Sequence, residues 1–98
     1  MRVMIRFSIP VVAGNRAIAD GRIGPILGKL QETLAPEAVY YMTLDGKRTG
    51  LFFCDLADVS DIPAIAEPLF TGLDAEVDFV PVMAPSDLGK GLEKAARK

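Results

Sequence analysis

Two hydrophobic periods alternate along this chain, and their order limits the possible folds more than any other feature. Residues 3–9 carry Val3, Ile5, Phe7 and Ile9 on one side, against Met4, Arg6 and Ser8 on the other. A period of 2 is that of a strand with one strongly apolar face. Pro10, which has no N–H to give a ladder, closes it. Over residues 15–34 the period changes. Ile23, Ile26, Leu27, Leu30 and Leu34 recur at spacings of three and four, which predicts a helix with its best face in the second half. Gly21, Gly24 and Pro25 weaken the first half and predict a kink or an irregular turn there.

Residues 38–44 are rich in strand formers, Asp45-Gly46 is a hairpin turn signal, and residues 49–56 form the second arm of the hairpin. Asp58 or Ser60 is placed to cap a second helix along Ile62, Ile65, Ala66, Leu69 and Phe70. Pro68 is expected to bend or end that helix, and Thr71-Gly72 to mark its stop. Residues 76–82 alternate again, with Val77 and Phe79 opposite Glu76, Asp78, Val80 and Val82. Pro81 points to an edge position or a bulge. Beyond Pro85, Ser86 is placed to cap a short third helix with Leu88, Leu92 and Ala95 on one side and Glu93 and Arg97 paired one turn apart.

The order is β-α-β-β-α-β with a C-terminal helix. It predicts one α+β domain over residues 1–98 of the ferredoxin-like, split βαβ kind. In it a four-stranded antiparallel sheet, in the order 4-1-3-2, carries both helices on one face.

Composition narrows the chemistry. The 98 residues include no histidine and a single cysteine. A Ser-His-Asp triad, a Cys-His pair, a histidine-ligated metal or haem and an internal disulfide are therefore all beyond this chain. No cofactor and no metal are expected. No run approaches the roughly 20 apolar residues of a membrane span. The first residues read as a strand rather than a leader, and the expected location is cytoplasmic. The net charge of -2 argues against nucleic acid. The densest basic stretch, Lys90, Lys94, Arg97 and Lys98, also holds Glu93 and reads as a solvated helix end. An RNA-binding use of the sheet lacks both a basic surface and the aromatic-glycine motif of such domains.

Two helices cover only one face of a four-stranded sheet. The other face carries Arg2, Met4, Arg6 and Ser8 from the first strand and Glu76, Asp78, Val80 and Val82 from the last. For the hairpin two sets are open: Tyr41 and Thr43 with Leu51, Phe53 and Asp55, or Tyr40 and Met42 with Phe52 and Cys54. Either leaves an apolar patch of the size that marks an interface or a pocket. Pairing two copies through this face would cover it, so a homodimer is expected.

The order of elements, residues 1–9 and residues 46–70 resemble the dimeric α/β-barrel superfamily. Within it the hairpin Asp45-Gly46-Lys47-Arg48-Thr49-Gly50-Leu51-Phe52-Phe53 and the helix over residues 58–70 are similar to those of small stand-alone members. The resemblance implies a dimer whose two sheets face each other. It also implies a range of activities that includes muconolactone isomerase-like enzymes and cofactor-free or haem-degrading monooxygenases. A member that ligates haem through histidine needs a residue this chain lacks, and no complete catalytic signature is carried over.

Arg6 beside Asp78 is the most chemical pair the sequence offers: a cationic anchor for a small carboxylate next to a candidate acid or base, or else an ion pair at a dimer seam. Of the consecutive Tyr40 and Tyr41, one must face the helices and one the other side, and either can hydrogen-bond a ligand. Asp55 ends the third strand, beside Arg6 if the register allows, or simply begins a turn. The candidate catalytic residues are Asp78 and Tyr41, and the candidate ligand-binding residues are Arg6, Tyr40 and Asp55. Cys54 reads as a buried, inert thiol. Two functions follow: a homodimer that binds a small carboxylated or aromatic molecule between its sheets, with isomerase or monooxygenase chemistry as its enzymatic form, or a non-catalytic dimer with a packed interior.

Overall fold

The computed structural model describes residues 1–97; Lys98, counted above in the basic tail, lies outside the described residues. Four strands form one antiparallel sheet: β1 (Arg2–Ile9), β2 (Ala38–Leu44), β3 (Lys47–Asp55) and β4 (Glu76–Pro81). The order across the sheet is β2-β3-β1-β4, which is 4-1-3-2 when counted from the β4 edge. Four helices accompany it: α1 (Val11–Ala19), α2 (Ile23–Leu34), α3 (Ile62–Leu73) and α4 (Pro85–Ala96), with a single 3-10 turn at Val59–Asp61 leading into α3.

β1 is the centre of the core. Val3, Ile5, Phe7 and Ile9 are all at most 2% exposed, and they meet Phe52 and Cys54 of β3 on the same face. Ala17 of α1, Leu30 of α2 and Ile65, Leu69 and Leu73 of α3 close over them. The apolar side chains that alternate in the strand and recur at three and four in the helices therefore meet in one layer. Burying a side chain of this size contributes roughly 1.5–3 kcal/mol.

The helix expected over residues 15–34 is two helices. α1 begins at Val11, directly after Pro10, and ends at Ala19, with Asp20 as its C-cap. Gly21 then takes a φ of 73°, a conformation that glycine adopts without penalty, and the chain restarts as α2. The Arg22 side chain holds this corner, donating to the Asp20 carboxylate at 2.8 Å and to the Gly72 carbonyl of α3. Three helices rather than two thus share the covered face.

Pro68 does not end α3, which runs on to Leu73 and stops where Asp74 turns left-handed at φ 52°, past the expected Thr71-Gly72. Pro68 cannot donate to the Ala64 carbonyl. Both residues lie on the exposed side of the helix, where water can take that carbonyl. The last helix starts one residue before the expected Ser86 cap: Pro85 is its first residue, and the Asp87 carboxylate accepts from the Ala84 N–H at 3.0 Å. β4 ends at Pro81, after which the Val82 N–H donates to the Arg2 carbonyl.

The hairpin corrects both expected sets of second-face residues. Asp45 and Gly46 have φ of 54° and 75°, so the loop is a two-residue turn with both central residues left-handed. Leu44 then pairs with Lys47, Tyr41 with Gly50 and Tyr40 with Leu51. Each pair joins an odd to an even position. Tyr40 and Met42 therefore share a face with Leu51 and Phe53, while Tyr41 sits with Phe52 on the helix side.

Candidate functional site

The face away from the helices is built from three rows of side chains that cross the strands. In the middle row stand Tyr40, Leu51, Arg6 and Asp78, one from each strand in sheet order. The row toward the start of β1 holds Ala38, Phe53, Met4 and Val80, and the row on the other side holds Met42, Thr49, Ser8 and Glu76. Met4, Leu51 and Phe53 form an apolar floor, with the polar groups of the middle row at its two ends.

Arg6 and Asp78 are direct neighbours across β1 and β4, and Arg6 Nε lies 3.8 Å from Asp78 Oδ2. That distance is ionic contact without a hydrogen bond. The two side chains are 42% and 61% exposed, so the guanidinium keeps N–H donors for another acceptor. Tyr40 lies two strands from Arg6, about 10 Å away at the ordinary strand spacing, and is 60% exposed.

The other candidate residues lie elsewhere. Tyr41 is on the helix side, where its ring meets Phe52 edge-on at 6.1 Å and its hydroxyl donates to Gln31 of α2 at 3.3 Å. Burial pushes its phenol above the usual tyrosine range. The sheet separates it from Asp78, so these two do not form one catalytic site. Asp55 stands opposite Arg2, not Arg6, whose partner on β3 is Leu51. Four residues along a strand put Asp55 about 13 Å from the middle row. Its carboxylate accepts from the N-terminal amine at 2.8 Å, and that bond, with the charge of the amine, holds its carboxyl below the usual range. Asp55 thus fastens the start of β1 to the end of β3. Cys54 is fully buried, and burial together with the negative charges of Asp55 and Glu37 pushes its thiol up, away from the reactive thiolate.

No protein-family model, no curated protein and no solved structure matches this chain. The reading of the site therefore rests on its own geometry. Among the described residues no group of three or more Cys, Asp or Glu side chains is placed to hold a metal ion, and no helix is long and apolar enough to cross a membrane.

The residues that sequence reasoning left in no fixed place are Leu51 and Phe53, the floor between Tyr40 and Arg6. Sequence reasoning also did not foresee a groove of about 430 Å³ on the outside of the helix layer, lined by Pro25, Ile26 and Leu30 of α2 and by Ala64, Ile65 and Pro68 of α3. Its walls are apolar apart from Lys29 and Thr33, so it offers no set of groups for chemistry.

Proposed function

We propose that this chain is a ferredoxin-like subunit of a dimeric α/β barrel, and that it binds a small aromatic carboxylate between the two facing sheets. The observation that carries the reading is the middle row. A cation with unused donors and a phenol stand about 10 Å apart across a floor of Leu51 and Phe53, on the sheet face opposite the one that α1, α2 and α3 cover. A carboxylate fits the Arg6 end, where a guanidinium can bind it through two parallel N–H donors. An aromatic ring fits the floor, and a hydroxyl on that ring fits Tyr40. Asp78, beside the bound carboxylate, and the phenol of Tyr40 are the groups of the row that can take or return a proton, and isomerase-like or oxygenase-like chemistry would draw on them.

Two features support pairing through this face. Its apolar side chains are numerous for open solvent, and a second sheet would cover them. The middle row also presents its charges as the opposed pair Arg6 and Asp78, which can enter an interface together.

The test is native mass spectrometry of the protein with 4-hydroxybenzoate as probe, on the wild type and on the double variant Arg6→Met with Asp78→Leu. A dimer that retains the probe, and a double variant that stays dimeric without retaining it, are the expected results. A wild type that is monomeric at micromolar concentration overturns the barrel. A dimer that takes up no probe at millimolar concentration leaves the packed, ligand-free seam, which the contact between Arg6 and Asp78 would also serve.

A further inference from the structure

Two arginines of this chain are partly buried, Arg6 and Arg48. Arg6 has Asp78 beside it, whereas Arg48 has no carboxylate partner among the described residues. Arg48 stands on the helix side of the sheet, in the row of Thr43 and Ile9. Its guanidinium crosses to α1, where Nη1 donates to the Val11 carbonyl at 3.5 Å and Nη2 to Asn15 Oδ1 at 3.1 Å. It packs on Gly14, where an added Cβ would clash with it. Both acceptors are neutral. They engage one N–H of each terminal nitrogen, so the Nε–H and the other terminal N–H groups keep no partner among the described residues. The charge is left uncompensated, although a charge taken out of water calls for an opposite one.

Beside Arg48, between the β2–β3 hairpin and α2, lies a cavity of about 380 Å³. That is the size of a small-molecule site, roughly 300–1,000 Å³. Phe7, Ile9 and Tyr41 of the sheet and Ile23 and Leu27 of α2 line it. The local sequence leaves the space. Ile23 and Leu27, one turn apart, are each followed by a glycine, and a Cβ added to Gly24 or Gly28 would meet nothing within 4 Å. On the sheet, Gly50 contributes no side chain to the row of Tyr41 and Phe7.

Among the residues that line the cavity, Arg48 alone carries a charge. The Tyr41 phenol, pushed up by burial, stays protonated at neutral pH. The groove between α2 and α3 lacks this feature, because its one cation, Lys29, is exposed.

We propose that the cavity binds an apolar monocarboxylate, with its carboxylate on the free N–H groups of Arg48 and its hydrocarbon body against Ile23, Leu27 and the Tyr41 ring. One cation matches one negative charge, and apolar walls match a hydrocarbon body. A phosphoryl group, with a charge of about −1.5 to −2 and several acceptor oxygens, finds a single cation here and no second one. The sheet separates this cavity from Arg6 and Tyr40. The inference therefore goes beyond the open-face site proposed above and needs no second copy of the chain.

The test is an NMR titration of the full chain, read at its methyl groups, with octanoate and with octanol, which keeps the hydrocarbon body and lacks the charge. Octanoate shifts the Ile23 and Leu27 methyls in a saturable way and leaves those of Met4 and Leu51, on the opposite face, unmoved. Octanol binds at least about tenfold more weakly, because the hydrogen bonds to a charged group are lost. In Arg48→Gln the octanoate affinity falls to that of octanol, while octanol binds as it does to the wild type, which shows the cavity intact. Equal affinities of octanoate and octanol for the wild type overturn the proposal without recourse to any variant. An Arg48→Gln protein that binds octanoate as tightly as the wild type overturns it as well. Shifts at Met4 and Leu51 alone put the anion on the open face; they overturn this site and favour the other. No saturable shift on either face at millimolar octanoate also overturns the cavity and leaves Arg48 as a latch between β3 and α1.

Discussion

Replacing Asp78 by alanine separates what the Arg6–Asp78 pair does in one subunit from what it would do in the proposed dimer. In the subunit the ions lie 3.8 Å apart and are 42% and 61% exposed. Unit charges at that distance in water attract by about 1 kcal/mol, and exposed pairs of this kind contribute roughly 0–1 kcal/mol once side-chain entropy is counted. Asp78→Ala should therefore change the stability of the isolated subunit by less than about 1 kcal/mol. Between facing sheets the balance is different. In the proposed dimer a second sheet would remove water from Arg6, which stands between Met4, Leu51 and Ser8 and would have lost its only ion partner among the described residues. Leaving one buried charge unpaired costs about 3–5 kcal/mol. A two-fold dimer would repeat the loss in both copies, so even the lower figure would weaken it by about 10⁴-fold. Arg6→Met with Asp78→Leu removes both charges, and dimerisation should return to the wild-type level or beyond it. Sedimentation equilibrium over a range of concentrations measures the association, and urea unfolding at a concentration where the protein is monomeric measures the subunit. The reasoning fails if Asp78→Ala dimerises as the wild type does, or if the double variant associates as weakly as the single one.

Gly50 lies directly beneath the ring of Phe7, where an added Cβ would stand 2.6 Å from Cε1 and 3.1 Å from Cε2 of a side chain that is 1% exposed. Gly50→Ala should destabilise the fold by about 1–3 kcal/mol, lowering Tm by roughly 4–8 °C per kcal/mol. Adding Phe7→Leu should recover part of that loss, so a thermal double-mutant cycle without coupling between the two sites would count against the packing described. The bond from the N-terminal amine to Asp55 gives a pH dependence. The folded-state pKa of Asp55 is depressed, so its contribution is complete above the unfolded carboxylate pKa of about 4 and disappears as the pH falls through the lowered folded value. The Tm difference between wild type and Asp55→Asn should therefore be constant near neutrality and shrink in acid; a difference that grows on acidification would reverse the assignment.

The core was legible because each of its elements states its own period. Val3, Ile5, Phe7 and Ile9 could only be one face of a strand, and the helices that cover them repeat at three and four. The break at Gly21 was visible as a weakness but not as a full stop, because a glycine inside a helical pattern is compatible with both a kink and a corner. What decides is Arg22, whose side chain ties the corner to Asp20 and to the far end of α3. That contact spans 50 residues and leaves no periodic trace. Pro68 misled for a related reason. Its local effect is to remove one hydrogen bond and to crowd the carbonyl four residues before it, and α3 tolerates this because Ala64 and Pro68 lie on its exposed side.

The site turned on parity, and the parity was present in the sequence. With Asp45 and Gly46 as a two-residue loop, Leu44 must face Lys47, and every pair along the hairpin then sums to 91. An odd sum puts Tyr40 on the side of Leu51 and Phe53, and Tyr41 on the side of Phe52. The turn signal and the strands were both readable, but sets that join even to even or odd to odd positions contradict that turn. A single residue more in the loop would have moved Tyr41 onto the open face and removed Tyr40 from it. The same rule places Arg6 opposite Leu51 and keeps Asp55 four residues away, at Arg2. The middle row is therefore a consequence of loop length acting on strands whose composition alone is indifferent to which face they show. In a sheet apolar on both sides, the turn and not the hydrophobic pattern selects the residues that a partner or a ligand meets.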